Sequence, residues 1–229
     1  LTVSPYQVLI CDNGPDKREY ERLKKIVAPY PNVTLYHLDV TETGSRAHAT
    51  VLNDLVKRVS TEFAVIMDAD ATPLLYGWDK FLLDQLTDSV VIAGTQSDTL
   101  GNKPKDFPLI FLCLVKMAVL KQLNINFLPA TVAGEFRDVG WELREKFLTA
   151  GYRGALIYDY STRLYRQSPF GKIPCSVYYD QPAAAGTDPG QPVASHFGRG
   201  SAPTGKRLIR LSNERNSLFI KILNKFLHF

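Results

Sequence analysis

Cysteine is scarce: Cys11, Cys113 and Cys175 are the three in 229 residues, and no two of them form a Cys-x-x-Cys pair. An odd number of widely spaced cysteines suggests neither a disulfide framework nor a zinc site, and it suits a reducing compartment. Long apolar runs are missing as well. The longest, Phe107 to Leu120, contains Pro108 and Lys116 and falls short of a membrane span. No secretory leader pattern is seen. Net charge is small, with 27 Lys and Arg against 23 Asp and Glu giving +4. That balance is compatible with an anionic substrate or an anionic membrane surface and too weak for a nucleic-acid partner. There is no internal repeat and no low-complexity tract. At 45% hydrophobic and 22% charged, the chain has the composition of an ordinary globular domain that buries a full core.

What the sequence does hold is an apolar run, Phe63-Ala64-Val65-Ile66-Met67, that ends in Asp68-Ala69-Asp70-Ala71-Thr72-Pro73. A run this short, closed by proline, reads as a central parallel strand covered on both faces. In an extended chain, residues two apart share a face. Asp68 and Asp70 are therefore expected to project together from the carboxyl end of the strand, where open α/β sheets bind ligands. Paired carboxylates hold Mg²⁺ or Mn²⁺ when phosphate oxygens complete the shell, so a nucleoside diphosphate is the natural partner. With 15 Asp in the chain, about one Asp-x-Asp arises by chance, and the motif gains meaning only from its context. The competing reading is a strand-end turn solvated by two aspartates.

Around this strand the chain alternates elements. Tyr6 to Cys11 reads as a strand followed by the turn Asp12-Asn13-Gly14-Pro15, which sets Asp12 at another strand end. Asp16 caps a helix over Lys17 to Val27, and Asn32 to Leu38 reads as a further strand in which His37 packs rather than ligates. A second helix over about Ser45 to Val59 feeds the aspartate strand. This β-α-β-α-β order implies parallel strands joined by right-handed crossovers. A helix from Gly77 to about Leu86 and a strand from Ser89 to Ala93 follow. Gln96 to Pro108 is polar and turn-rich, the composition of a loop near the site. Leu109 to Leu123 reads as a strand running into a helix, and Trp141, Phe147 and Leu148 mark a helix face that Gly151 ends. Asp138 stands at the start of that helix, where an N-cap explains it equally well. Ala155 to Tyr158 is a short strand. Arg166 to Ser195, rich in proline and glycine, reads as a long irregular segment of lid type. His196 follows it beside glycines, a place from which it either reaches a metal or is simply a polar loop residue. The segment 204–229 carries Lys206, Arg207, Arg210, Arg215, Lys221 and Lys225 with an apolar stripe of Phe219, Ile222, Leu223 and Phe226. It reads as a basic amphipathic helix for an anionic membrane surface, its own domain or a second subunit.

The order of these motifs resembles the GT-A glycosyltransferases, most closely glycosyltransferase family 2. Val8 to Gly14 is similar to the family's second strand, Gly44 with Ala47 and Asn53 to its following helix, Asp68-Ala69-Asp70 to its metal motif, and Arg137 to Arg144 to its acidic catalytic block. The resemblance spans roughly residues 6 to 200 and implies an α/β, Rossmann-like, mostly parallel sheet flanked by helices. It implies a glycosyltransferase domain over 1–203, with a nucleotide-binding half over about 1–95 and an acceptor half over 96–203. By the same resemblance Asp68, Asp70 and His196 bind Mn²⁺ or Mg²⁺, Asp12 contacts the nucleotide base, Arg199 with Lys206 neutralises phosphate, and Asp138 is the catalytic base. The implied reaction moves a sugar from a UDP- or GDP-linked donor to a saccharide or lipid-linked acceptor, with inversion, in polysaccharide or glycolipid synthesis. The implied place is the cytoplasm or the inner face of a membrane. Two departures stand out: the sequence opens about where the family's second strand is expected, from a lost N-terminus or a modified fold, and Arg137 and Gly140 replace two of its acids. These departures also support a GT-A-like domain that binds nucleotide without turnover. A third reading takes Asp68-x-Asp70-x-Thr72 as the nucleophile motif of a haloacid dehalogenase-type phosphatase, with Asp68 nucleophile and Asp70 general acid. Its placement after two strand-helix units counts against that.

Overall fold

The computed structural model describes residues 1–96, 103–161, 176–182 and 190–196. Its opening elements follow the pattern in the sequence: β1 (Val8–Asp12), α1 (Lys17–Val27), β2 (Val33–His37), α2 (Gly44–Arg58) and β3 (Phe63–Met67). Asp16 does cap α1, its carboxylate accepting from the Arg18 amide at 2.9 Å. β1 and β2 are parallel, as a right-handed β-α-β unit requires. The parallel relation stops there. β1 and β2 make a two-stranded sheet of their own, and among the described residues β3 pairs with neither.

β3 instead opens a seven-stranded mixed sheet. Its other members are β4 (Ala71–Pro73), β5 (Val90–Thr95), β6 (Leu109–Lys116), β9 (Arg153–Ser161), β10 (Ser176–Tyr179) and β11 (Pro192–His196), in the order β3-β6-β5-β9-β10-β11-β4. Of its ladders only β5 with β9 is parallel. Between these strands lie α3 (Trp78–Asp84), α4 (Met117–Gln122), the hairpin β7 (Ala130–Val132) and β8 (Glu135–Arg137), and α5 (Trp141–Thr149). The segment read as irregular between Arg166 and Ser195 contains β10 and β11. Val177, Tyr178, Val193 and Ala194 are buried there, so burial of consecutive residues on both faces of these strands outweighs the surrounding prolines and glycines.

A short link bends this sheet. β3 and β4 lie at its two ends, yet only residues 68–70 join them, a reach of at most about 14 Å. The two ends must therefore come together. β9 joins the two halves of the sheet: Arg153 to Ile157 pair with β5, and Tyr158 to Ser161 pair with β10.

Each face of the sheet carries its own core. On one face Cys113 and Val115 of β6 pack with Ala49 and Leu52 of α2, Met117 and Leu120 of α4, and Leu143 and Phe147 of α5. On the other, Leu112 and Leu114 meet Trp78 and Leu82 of α3, with Ile157, Tyr178 and Val193. The period-two alternation along β6 is what splits the two cores. Among the described residues no helix is long and apolar enough to cross a membrane.

β5 and β6 approach so closely at Gly94 that a Cβ there would sit 2.5 Å from both Cys113 Cβ and the Leu112 carbonyl oxygen. Backbone cannot yield to a methyl group at that distance. Gly94→Ala is expected to destabilise the fold by roughly 1–3 kcal/mol, the usual cost of overpacking, read as a lowered urea midpoint. An unchanged midpoint would mean the two strands are not packed this tightly.

Candidate functional site

β3 ends at Met67, and its ladder runs one step further, with the Asp68 amide donating to the Phe111 carbonyl at 2.9 Å. The chain then turns. The Ala71 amide donates back to the Asp68 carbonyl at 2.9 Å, so the two aspartates lie in a four-residue turn rather than along an extended strand. The turn, not strand alternation, brings their carboxylates together. β4 departs from it and pairs with β11, and that ladder sets His196 directly opposite Ala71.

His196 Nε2 consequently lies 3.0 Å from Asp70 Oδ1 and 3.4 Å from Asp68 Oδ2. Ligand atoms of Asp68, Asp70 and His196 all fall within 4.8 Å of one another, so three residues singled out from the sequence meet at one point. Asp68 Oδ1 is buried and takes no hydrogen bond among the described residues. Two carboxylates and one imidazole whose ligand atoms converge this closely fit a divalent cation, and the mixed donor set suits Mn²⁺ at least as well as Mg²⁺. Burial opposes a charge on His196, but its hydrogen bonds to Asp68 and Asp70, and their negative charge, outweigh burial and raise its pKa to about 9.

Phe111 connects this cluster to Asp138. The His196 ring stacks on Phe111, centroids 4.4 Å apart and planes 17° apart, and Lys103 Nζ stands 4.6 Å from the centroid of the same Phe111 ring. Lys103 Nζ also lies 3.3 Å from Asp138 Oδ2. The Val139 amide donates to Asp138 Oδ1 at 2.8 Å, and Ser45 hydrogen-bonds the same side chain. Burial works to raise the Asp138 pKa, but the Ser45 and Val139 hydrogen bonds together with Lys103 bring it below the usual carboxylate value. The helix-cap explanation does not hold: the residue before α5 is Gly140, at φ 77°, and no side chain caps that helix. Arg144 of α5 grips Asp106 through two bonds, Nε to Oδ1 at 2.8 Å and Nη2 to Oδ2 at 2.6 Å, which fixes the segment that carries Lys103.

Other expectations fare differently. Asp12 does sit at the end of β1, but its side-chain partners are His37 Nδ1 at 3.0 Å and the Gly14 amide at 3.4 Å, outside the Asp68 cluster. His37, read as packing, is thus the orienting partner of Asp12, and Asp39 holds its other nitrogen at 3.1 Å. Asn53 is structural, accepting from the Phe127 amide at 3.1 Å. Arg199, Lys206 and the basic stretch 204–229 lie outside the described residues. Lys103, Ser45 and Phe111 carry no signal in the sequence, because only the tertiary fold brings them to the carboxylates. Beside Ser45 a cavity of about 360 Å³ opens between the start of α2 and the β7–β8 hairpin, lined by Thr43, Arg46, Pro129, Thr131 and Phe136.

No protein-family model and no curated protein sequence matches the chain. Solved structures do. A mannosyltransferase from Pyrobaculum calidifontis, in complex with GDP-mannose and Mn²⁺, aligns with a TM-score of 0.50 at 16% identity, covering 66% of this chain and 45% of its own. A glycosyltransferase involved in glycosylation of the major capsid of PBCV-1 aligns at a TM-score of 0.32 and 13% identity, over 52% of this chain and 65% of its own. The first likeness is one of fold: the chain shares the α/β architecture of that mannosyltransferase over 66% of its own length. The chain spans less than half the length of that mannosyltransferase.

The His196 pairing has a pH signature. Its folded pKa of about 9 exceeds the ordinary 6.5, so its contribution is fully present below pH 6.5 and is lost as pH rises through 9. In EDTA the melting temperature of the wild type is expected to fall over that window relative to His196→Gln. Parallel curves for the two proteins would refute the pairing.

Proposed function

We propose that this chain is a metal-dependent glycosyltransferase that moves a sugar from a UDP- or GDP-linked donor to an acceptor hydroxyl with inversion. The observation that carries this reading is the meeting of Asp68, Asp70 and His196 at the end of β3, in a fold shared with a mannosyltransferase solved with GDP-mannose and Mn²⁺. Bound Mn²⁺ or Mg²⁺ supplies compensation for negative charge developing on the leaving diphosphate. Asp68 and Asp70 offer carboxylate oxygens for it, and His196 offers Nε2 once its proton has left. Asp12, oriented by His37, receives the nucleotide base, and Arg199 neutralises phosphate.

Asp138 takes the proton of the acceptor hydroxyl. As that proton moves to the carboxylate, the acceptor oxygen bonds to the anomeric carbon, and the bond from that carbon to the diphosphate breaks with its electron pair leaving on the diphosphate. Inversion follows from this single displacement. The low pKa of Asp138 keeps it ionised at neutral pH, the state a base needs, and Lys103 and Ser45 hold it in place. The cavity that shares Ser45 with Asp138 supports placing the acceptor there, where Thr43 and Thr131 offer hydroxyls and Phe136 an exposed ring. The saccharide or lipid-linked class of that acceptor, and a peripheral place on an anionic membrane, belong to this proposal too. The phosphatase reading is weaker because Asp68 is flanked by imidazoles instead of being presented as a free nucleophile.

Calorimetric titration of UDP and GDP with and without Mn²⁺ tests the site. One nucleotide is expected to bind in a metal-dependent way, and Asp68→Asn/Asp70→Asn is expected to lose that binding. A folded wild type that binds neither would defeat the proposal. Asp138→Asn separates chemistry from binding: nucleotide affinity stays within a few-fold, while transfer falls by about 10²–10⁴. Full transfer by that variant would remove Asp138 from the mechanism.

A further inference from the structure

His48 lies on α2 between Ala47 and Ala49, both buried, so the helix backbone at this point is pinned to the body of the domain. Its Nε2 stands 3.5 Å from Asp68 Oδ1. On the other side of the same carboxylate, Oδ2 faces His196 at 3.4 Å, and each oxygen of Asp68 thus has its own imidazole. Oδ1 is the buried oxygen that takes no hydrogen bond among the described residues. At 3.5 Å the His48 contact is one small ring rotation away from supplying it. The atoms that gather within 4.8 Å of one another belong to Asp68, Asp70 and His196, and His48 is not in that group.

Resting on the cation-site reading above, we propose that His48 is the positioning residue that holds Asp68 in its cation-binding pose. With its proton on Nε2 it donates to Oδ1, stops the carboxylate from rotating, and leaves Oδ2 turned toward Asp70 and His196. Carboxylate ligands are commonly oriented by such an outer hydrogen bond, and its loss weakens metal binding although no ligand is removed. An imidazole on a helix suits the task because the backbone anchors it more firmly than a loop does.

Titration of Mn²⁺ alone, followed by electron paramagnetic resonance of the free ion, tests this without any transfer assay. The proteins compared are the wild type, His48→Ala, His48→Leu, His48→Gln and Asp68→Asn/Asp70→Asn. Alanine and leucine are expected to weaken Mn²⁺ binding about 10–100-fold, the leucine filling the space so that the result does not hang on one variant folding. Glutamine, whose amide donates to the same oxygen, is expected to restore most of the affinity. Wild-type affinity in both the alanine and leucine variants would overturn the proposal, and so would a glutamine variant as weak as alanine, which marks a direct ligand. Those outcomes leave the cation site standing. Failure of the wild type to bind Mn²⁺, or undiminished binding by the double aspartate variant, would overturn the cation site itself and this inference with it.

Discussion

The three residues that join β3 to β4 constrain everything around them. A sheet whose first and last strands are tied by so short a link must curl until its ends meet, and the meeting point is the link itself. β9 allows the curl by serving two partners in succession. His196, far along the chain, then reaches Asp70 because β11 happens to be the neighbour of β4. The site is a product of sheet closure rather than of a single strand end.

Electrostatics completes what the topology begins. Two carboxylates at close quarters repel, and in this arrangement the positive charge on His196 reconciles them. A cation that takes the same oxygens must displace that proton, so metal binding is coupled to proton release and strengthens as pH rises. Asp138 follows the same logic with Lys103 as its counter-charge. Phe111 touches both groups, one by stacking and one by its ring face, and so ties the two acid centres into one unit.

Much of this was legible in the sequence, for physical reasons that differ from residue to residue. α1 and α2 announce themselves by helical spacing, and Asp16 by its capping chemistry. Asp68 and Asp70 are visible because they follow an apolar run that reads as a strand, although a turn and not an extended strand unites them. Asp138 is legible as a residue and misleading as a helix cap, since Gly140 takes the left-handed conformation that starts α5. β10 and β11 hide among prolines and glycines whose composition suggests a loop. The separation of β1 and β2 from the seven-stranded sheet is invisible locally, because hydrogen-bond partners across a sheet are a tertiary choice. Lys103, Ser45 and His48 have ordinary surroundings in the sequence and acquire meaning only from what the fold sets beside them.

The small β1–β2 sheet has a consequence for how the domain breathes. α1 has no buried residue, and all five residues of β1 stay partly exposed, whereas β5, β6 and α5 sit on closed cores. Sub-global opening follows burial of this kind. The 8–37 unit is therefore expected to exchange its amides with solvent sooner than the sheet that bears Asp68 and His196. Asp12 belongs to that looser unit, so a ligand held by it would have to order the unit as it bound.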